Sequence, residues 1–467
     1  MGKFGTFFRL TAACAALLPF VFGCTMAPKY VRPDAPIPNT YGVGAMGENG
    51  ALPAWKEFIT DLTMRRVVEL ALLNNRDLRI SMLNIEKTRA MYRIQRADLL
   101  PTIAAEGGSS AQRLPADISP SGQAGTFHQY SASLGFSSFE LDLFGRIRSL
   151  SDQALETYYS AEEDARTAQI ALIAETAGMY LQLVADRELL DITRETYENR
   201  KSQYNLLQRK MQAGVASDLE VSQTKSLMEE ARSSLARYEA HVGQDVNFLT
   251  LLVGAPLPTD LQEVRKLKNI PPLADLHEGL PSTLLEQRPD IRSAEHRLKG
   301  SNANIGAARA NFFPRISLTG SLGTVSTDFD NLFQGPAKTW SFLPQISLPI
   351  FDTGRNIARL DVANTERDIA VASYEKTIQN AFREVGDTLV QRAYIGDQLS
   401  AERALVQSTG TSYRLAMARY DVGVDSYLNV LDSQRFLYTA QQSLIGTLLL
   451  RESNALSLYK ALGGGVK

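Results

Sequence analysis

The residue types that most often perform catalysis are few in this 467-residue chain, and they are not arranged for it. The four histidines, His128, His241, His277 and His296, are far apart, and none belongs to the HExxH spacing that presents two zinc ligands on a helix. No segment matches the phosphate-binding GxxxxGK[ST] loop, the GxSxG nucleophile turn or a CxxC pair. The sequence therefore predicts no catalytic site, no cofactor and no metal site.

One glycine pattern imitates a cofactor motif. Gly42, Gly44 and Gly47 fit the GxGxxG fingerprint of dinucleotide-binding proteins. That fingerprint requires a strand before it and a helix after it, whereas no strand pattern precedes Gly42 and residues 48–53 cannot open a helix. Pro, Gly and Ala are abundant from Thr25 to about Pro53, so we interpret this segment as an extended tether.

The composition excludes several classes of protein. Hydrophobic residues make up 44% and charged residues 21% of the chain, which fits neither a polytopic helical membrane protein nor a disordered chain. The formal net charge is -2 and no basic patch dominates, which argues against nucleic acid as a partner.

A short export signal opens the sequence. Lys3 and Arg9 form a positive region, and residues 10–22 form an apolar stretch. This pattern predicts a signal peptide over residues 1–23 that is removed from the mature protein. At about 13 residues the stretch is too short for a permanent membrane helix, which needs roughly 20.

The end of the signal, Gly23-Cys24, resembles the lipobox of bacterial lipoproteins, although Phe22 stands where a small residue is usual. We predict that Cys24 is acylated and becomes the first mature residue. Two or more acyl chains would then hold the protein firmly on lipid. The alternative is an ordinary signal peptide with an incidental cysteine. Thr25 follows in place of Asp, which by resemblance favours the outer membrane. With Cys14 removed, no thiol pair remains for a disulfide or a zinc site.

The rest of the chain is an internal duplication. Two ungapped alignments place turns and element ends opposite one another, and their offsets differ by four residues. The pairs include Asp77/Asp290, Pro101/Pro314, Gly145/Gly354 and Gly214/Gly423. We therefore predict repeats over 67–254 and 281–463. A tether and equatorial segment (24–66) precedes them, a linker (255–280) joins them, and a tail (464–467) follows.

Two segments in each repeat alternate between apolar and polar residues. The apolar positions are Tyr130, Ala132, Leu134 and Phe136 in the first repeat, and Ile316, Leu318, Leu322, Trp340, Phe342, Ile346, Leu348 and Ile350 in the second. Period-two alternation predicts strands with one apolar face, and about 9–13 residues suit a tilted crossing of a bilayer. We predict one β-hairpin in each repeat, over residues 102–144 and 315–351.

Long helices surround each predicted hairpin. A helix over about 68–98, and its equivalent over 281–311, precede the strands. No proline occurs between Pro120 and Pro256, and good helix formers dominate that stretch. A helix from Arg148 to Gln212 would extend about 98 Å, a length that predicts coiled-coil packing.

Each long helix is followed by a glycine turn, within residues 213–217 and 422–426. Gly214 and Gly423 can adopt the positive φ that ends a helix, and Ser217 and Ser426 suit the N-cap of the next helix. Any tight helix hairpin needs this pattern, so the turns by themselves assign no function.

The strands imply an oligomer. Four strands cannot close a barrel, because about eight are needed to enclose a packed interior, and open sheet edges are not tolerated in lipid. Three hypotheses remain: a passive transport conduit, a structural coiled-coil lipoprotein that tethers envelope layers, and an outer-membrane enzyme of the barrel type. A tether needs no alternating strands, and an enzyme needs a catalytic cluster, so the conduit is favoured.

The sequence resembles the TolC-like outer-membrane efflux factors, and within them the lipoprotein multidrug branch that serves tripartite RND-type pumps. The resemblance covers essentially the whole mature chain. It is carried by Gly23-Cys24 with Pro28, Tyr30 and Pro33, by 140–146 (ELDLFGR), 288–292 (RPDIR), 302–310 (NANIGAARA), Phe312-Phe313-Pro314 and 459–465 (YKALGGG).

The resemblance implies a mixed α and β membrane protein. In that fold three chains share a 12-stranded transmembrane β-barrel, four strands from each, continuous with a periplasmic coiled-coil barrel of 12 helices. It also implies an equatorial region built from residues near 54–65, near 255–285 and at the C-terminus. The protein would be a homotrimer in outer-membrane lipid that docks with a periplasmic adaptor and an inner-membrane RND transporter. It would carry drugs or other small toxic compounds out of the periplasm, and the cargo range stays open.

The resemblance also gives roles to residues near the turns. Gly214, Val215, Ser217, Gly423, Val424 and Ser426 would form the periplasmic tip that contacts the adaptor. Asp432 would face the lumen in a three-fold acidic ring, and Asn429 replaces a second acid common in the family. Tyr420 and Asp218 would belong to a lock that holds the tip shut, but Asp425 occupies the usual basic position of that lock.

Overall fold

The computed structural model describes residues 25–38, 41, 52–119, 122–258, 265–276 and 282–465. The predicted signal peptide, the predicted lipidation site Cys24, the glycine pattern at 42–47 and His277 lie outside the described residues.

Within those residues the chain has the mixed α and β composition that the sequence predicted. The helices are α1 (Trp55–Phe58), α2 (Leu62–Asn74), α3 (Arg76–Ala97), α4 (Arg146–Gln212), α5 (Asp218–Val253), α6 (Pro289–Ala310), α7 (Arg355–Asp421) and α8 (Tyr427–Ala461). The strands are β1 (Ile103–Leu114), β2 (Gly125–Leu141), β3 (Arg315–Ser326) and β4 (Lys338–Ser347).

The chain forms two compact units, and each takes segments from both sequence repeats. The first combines the described parts of 1–34, 84–161 and 293–374, and it contains the sheet. The second combines the described parts of 35–83, 162–292 and 375–467, and it contains the turns at Gly214 and Gly423.

The four strands form one antiparallel sheet in the order β1-β2-β3-β4. The register places Leu134, Leu322 and Trp340 side by side on one face. On the other face the hydroxyls of Ser321 and Ser341 are hydrogen-bonded at 2.7 Å. One apolar and one polar face is the arrangement that the alternating sequence predicted.

A β-bulge in β2, which the sequence analysis did not predict, keeps the apolar side chains on one face. Phe136 pairs with Gly320, but the next pair on that face is Phe139 with Leu318, so β2 has one extra residue. Ser138, within the bulge, has a φ of 54°, and its N–H donates to Thr319 Oγ1 at 3.0 Å. The extra residue moves the apolar positions from even to odd numbers and so preserves the face.

The first predicted helix, about 68–98, is wrong as a single element. Asn75 interrupts it with an extended ψ of 133°, between α2 and α3. The Asn75 side chain accepts from the N–H of Leu78 at 2.9 Å and donates to the carbonyl of Leu252 at 2.8 Å. The helix is therefore broken by a tertiary contact with the end of α5, which local sequence could not reveal.

The predicted start of the equivalent helix at residue 281 is also wrong. A 3₁₀ segment occupies Ser282–Gln287, and the α-helix begins at Pro289. Proline suits the first helical position because its missing N–H has no intrahelical partner there.

The three segments expected to build an equatorial region meet in the second unit. Phe58 and Tyr459 are stacked with ring centroids 4.2 Å apart. The N–H of Ala274 donates to the carbonyl of Phe58 at 2.9 Å. Ala54 forms a parallel bridge with Gly465. Residues near 54–60, near 274 and at the C-terminus therefore share one core.

α4, one of the two longest helices, packs against other parts of the chain. α4 contains an apolar window long enough to cross a membrane, but 56% of that window is buried within the chain. Ile173, Leu181 and Leu183 in this part of α4 are almost completely buried. Burial against the chain itself identifies α4 as a packed helix.

Candidate functional site: the two helix turns and the residues beneath them

The two predicted tip turns have the same backbone conformation. Gly214 and Gly423 lie at φ 76° and 75°. In each turn the glycine N–H and the N–H of the following valine return to carbonyls of the last helical turn, at 2.8–2.9 Å. This is the Schellman ending of a helix, which favours glycine because a Cβ is strained at positive φ. Among the residues that the structure describes, no other atom lies within 4 Å of where a Cβ would stand at either glycine, so the strain is conformational and not steric crowding.

The two serines predicted as N-caps behave differently. Ser217 forms a full capping box: its hydroxyl accepts from the N–H of Glu220, and the Glu220 carboxylate accepts from the N–H of Ser217. Ser426 takes the N-cap position of α8, but its side chain makes no cap hydrogen bond. The predicted N-cap position is therefore confirmed for Ser426, but its hydroxyl does not make the hydrogen bond that Ser217 makes. The repeat places Asn429 at the position of Glu220, so the second turn has no acid to complete the box.

Large apolar side chains are exposed at both turns. Val215 is 72% and Val424 60% exposed, and Leu219 and Val422 are similarly open. Scattered apolar residues are normal on a surface, but these cluster at the ends of two helix hairpins.

Beneath the turns a small core joins the two hairpins. Leu207 of α4 packs with Tyr427, Val430 and Leu431 of α8. The Tyr427 hydroxyl donates to Gln203 Oε1 at 2.6 Å. Burial, more than the neighbouring groups, raises the pKa of Tyr427 well above its usual value, so this hydroxyl remains a donor across the physiological range. The core fixes the second hairpin against the first one.

A basic residue that the sequence analysis missed contacts Tyr420. Lys210 Nζ lies 3.5 Å from the Tyr420 hydroxyl and 5.3 Å from the centre of its ring. Lys210 belongs to α4 and Tyr420 to α7, so this contact also joins the two hairpins. The spacing that carries Gly214 onto Gly423 carries Lys210 onto Arg419, and this shared basic position is the signal that could have found it.

Asp425 does not face across the tip. Its carboxylate binds Arg419 of the same hairpin, with Nε and Oδ2 2.5 Å apart. The hydrogen bond from Arg419 lowers the pKa of Asp425. Asp218 lies exposed in the first turn of α5, and among the described contacts it makes none with Tyr420. The structure therefore brings Tyr420 together with Lys210 and not with Asp218.

Asp432 lies on α8 and is half exposed. Its Oδ1 is 3.2 Å from a guanidinium nitrogen of Arg435, one turn further along the helix. Exposed pairs of this spacing contribute little stability, so the carboxylate remains available to cations. Arg435 nevertheless partly offsets the charge, which the sequence analysis did not consider.

The comparison with protein families identifies the chain. The family model described as "Outer membrane efflux protein" matches residues 67–255 and 280–464. These ranges exceed the repeats predicted from the sequence by one residue at the end of the first repeat and by one residue at each end of the second.

Similar proteins and structures span nearly the whole chain. The probable efflux pump outer membrane protein TtgC of Pseudomonas putida is 48% identical over 96% of this chain and 94% of its own length. Outer membrane protein OprJ of Pseudomonas aeruginosa is 43% identical, over 97% and 95%. The open-state MtrE outer membrane channel of Neisseria gonorrhoeae is 34% identical, with a TM-score of 0.86 over 95% and 99%. A membrane protein from Pseudomonas aeruginosa is 43% identical, with a TM-score of 0.88 over 95% and 98%. The chain therefore belongs to the outer membrane efflux protein family.

Proposed function

We propose that this protein is the outer-membrane channel of a tripartite RND-type efflux pump. It is a passive, non-enzymatic conduit that carries drugs or other small toxic compounds from the periplasm to the outside. Three copies form the channel, and a periplasmic adaptor and an inner-membrane RND transporter dock with it and open its periplasmic tip.

The main support for the proposal is that the four-stranded sheet has two unpaired edges. Within the described part of the chain, β1 and β4 each pair with one strand only, so both outer strands keep a row of unpaired backbone groups. Lipid does not tolerate such edges, and four strands are too few to close on themselves. Pairing of β4 with β1 of a neighbouring copy removes both edges, and three copies give a 12-stranded barrel.

The contrast between two equivalent helices supports the same assembly. α6 buries Ile291, Leu298 and Ile305 within the chain. α3, at the corresponding place in the first repeat, buries no residue. Its exposed Ile80, Leu83, Met91 and Ile94 fall on one helical face at spacings of three and four residues and their multiples. A neighbouring copy is the natural partner of this stripe.

The names of similar proteins support a small, toxic cargo. Relatives at 47–48% identity are described as toluene, solvent and antibiotic efflux pump outer membrane proteins. A structural tether would need neither the sheet nor its two distinct faces.

Docking at the two turns is part of the proposal. The exposed valines beside Gly214 and Gly423 offer apolar contacts, and the core beneath them holds the two hairpins together. Lys210 and Tyr420 stabilise the resting arrangement, and three copies of Asp432 form an acidic ring.

The test places a photoreactive amino acid at Val215 or at Val424 in cells that express the whole pump. A matched control places it at Phe333, which is 78% exposed between β3 and β4, on the side we assign to the exterior. Adaptor crosslinks are expected from both valines and not from Phe333. Export in cells where neither valine crosslinks, or equal crosslinking from Phe333, would contradict the assignment.

A paired variant separates docking from folding. Gly423→Leu places a bulky residue at positive φ, at a cost of roughly 1–2 kcal/mol, whereas Gly423→Asn tolerates that conformation better. We expect the leucine variant to insert normally but to lose adaptor crosslinking and drug export, and the asparagine variant to retain both.

A further inference from the structure

Three strand–helix junctions meet in the first unit and border a cavity of about 260 Å³. The junctions are those from β2 to α4, from α6 to β3 and from β4 to α7. Three carboxylates and four guanidinium groups line the cavity. Like charges at this density repel unless each has a counter-ion, so the pairing of these groups decides what the cavity binds.

All three carboxylates already have partners within the chain. Glu140 accepts from Arg146 Nε and Nη2 at 2.8 and 2.7 Å, and it lies 3.0 Å from Arg315 Nε. Asp142 and Asp352 accept from backbone N–H groups at the starts of α4 and α7, at 2.9–3.1 Å. Glu140 therefore serves two of the four arginines, and the other two acids cap helices.

The remaining two arginines, Arg355 and Arg359, have no counter-ion. Within the part of the chain that the structure describes, neither guanidinium group makes a hydrogen bond or an ion pair. Both residues are exposed and lie four residues apart, on one face of α7. Like charges at this spacing repel, and Arg355 also lies at the start of the helix, where the dipole disfavours a cation. A bound anion would offset both effects.

The duplication shows which carboxylate is missing. The spacing that carries Arg146 onto Arg355 carries Glu140 onto Pro349. The first repeat thus supplies the acid for its arginine from within the chain, whereas the second has a proline at that position. The same spacing places a leucine opposite Arg359. The second repeat therefore has one carboxylate fewer and one arginine more at this junction.

Exposed apolar side chains border the two unpaired arginines. Ile350 and Phe351, between β4 and α7, are 94% and 87% exposed, and Leu348 and Ile357 are at least half exposed. Apolar side chains this open, next to cations without counter-ions, match a ligand with an anionic head and an apolar tail. A small anion would leave the apolar side chains uncovered.

We propose that this junction is a binding site for a phospholipid with a net negative head group. Arg355 and Arg359 bind the phosphate, and the segment 348–351 contacts the acyl chains. A guanidinium group donates two parallel hydrogen bonds that fit a pair of phosphate oxygens. The position of the junction at the periplasmic surface of the membrane rests on the proposed function, in which the sheet spans the bilayer.

Native mass spectrometry of the delipidated, full-length protein in detergent tests the site by titration with phosphatidylglycerol. The lipid should bind the wild-type protein, and the double variant Arg355→Gln/Arg359→Gln should bind it roughly tenfold or more weakly, because two charge-assisted contacts are lost. The control Arg383→Gln removes an exposed arginine of the same helix that pairs with Asp387, and it should bind like the wild type. Equal affinity in the double variant would overturn the proposal.

Two further readouts separate a lipid from other partners of the arginines. Phosphatidylglycerol should raise the thermal unfolding midpoint, whereas inorganic phosphate at the same concentration should not, because it makes no apolar contact. An equal rise with inorganic phosphate would overturn the lipid assignment. Loss of the oligomer in the double variant would also overturn it, by assigning the arginines to an interface between copies.

The same spectra count the chains, so failure of this site and failure of the proposed function are distinguishable. A stable monomer that still binds phosphatidylglycerol through Arg355 and Arg359 would contradict the conduit and leave the lipid site intact. A trimer that binds the lipid no better than the double variant does would contradict the lipid site alone.

Discussion

At the scale of single residues, the contact between Lys210 and Tyr420 differs from the lock that family resemblance implies. Lys210→Ala removes the charged partner of Tyr420 across the two hairpins. A half-buried contact of this kind contributes about 1 kcal/mol, so the open state should become several-fold more populated. Single-channel recordings in planar bilayers should show longer or larger openings.

Arg419→Ala is the matched control for this prediction. Arg419 occupies the equivalent position in the second repeat, but it binds Asp425 within its own hairpin. Its loss should leave the openings unchanged. If Arg419→Ala opened the channel as much as Lys210→Ala, the contact across the hairpins would not be what holds the tip.

Asp432 and Arg435 give a second prediction at this scale. Three carboxylates brought together attract multivalent cations, so Asp432→Ala should weaken block of the reconstituted channel by trivalent cations. Arg435→Ala should strengthen the block, because it frees the carboxylate from its partner 3.2 Å away. Full cation block in Asp432→Ala would place the acidic ring elsewhere or remove it.

Residue-scale features were predictable where they are local. The positive φ of Gly214 and Gly423 and the cap formed by Ser217 follow from residue type and spacing. Asn429 in place of an acid means that the second turn lacks the reciprocal half of the capping box, and the repeat alignment already contained that difference. The pairing of Lys210 with Tyr420 requires knowledge of which helices are neighbours, and no local pattern contains that.

At the scale of elements, α4 and α5 bring two carboxyl groups together. Asp245 is hydrogen-bonded to Asp186, and one Asp245 oxygen is buried without a partner among the described residues. Burial first, and then Asp186, raises the pKa of Asp245 to about 7, against the lowering effect of Arg187. Gln182 donates to Asp186 at 2.8 Å. The pair is therefore stable when it shares a proton.

The sign of the pH effect follows from that shift. A raised folded-state pKa gives stability that is fully present below the unfolded value, near 3.9, and is lost as the pH rises through about 7. The thermal unfolding midpoint should therefore fall as the pH rises from about 4 to about 7 and level off at higher pH, and Asp245→Asn should flatten this dependence. The control Asp191→Asn, in a partly exposed pair with Arg194, should not. An unchanged slope in Asp245→Asn would refute the shared proton.

The exposed stripe of α3 gives the next element-scale prediction. Ile94 is 70% exposed in the single chain, and Ile94→Glu would place a charge in the proposed interface between copies. We expect this variant to lose its oligomer but keep its helical circular dichroism. Arg89→Glu, on the opposite face of α3, should assemble normally. Normal assembly of Ile94→Glu would mean that this stripe is not an interface.

Helices and strands could be predicted where one periodicity of apolar residues or one residue composition persists along the sequence. Alternation along β2, β3 and β4 placed the strands and their apolar face, although Leu348 and Ile350, which were predicted to belong to the last strand, follow its end at Ser347. Absence of proline marked the length of α4. The bulge at Ser138 and the break at Asn75 were missed because Thr319 and Leu252, their partners, are distant in sequence.

At the scale of the whole molecule, the proposed conduit depends on the number of chains that share one barrel. A single copy leaves the edges of β1 and β4 unpaired and the apolar stripe of α3 exposed. One chain therefore cannot form the channel alone. Family membership supports an efflux channel, and the chain's own sheet requires several copies for any continuous duct.

Native mass spectrometry of the detergent-solubilised, full-length protein measures that number directly. We predict a dominant mass of three mature chains, each increased by the mass of its acyl groups. This mass should persist at activation energies that remove the detergent. A stable monomer under the same conditions, with its sheet intact, would contradict the shared barrel and with it the proposed conduit.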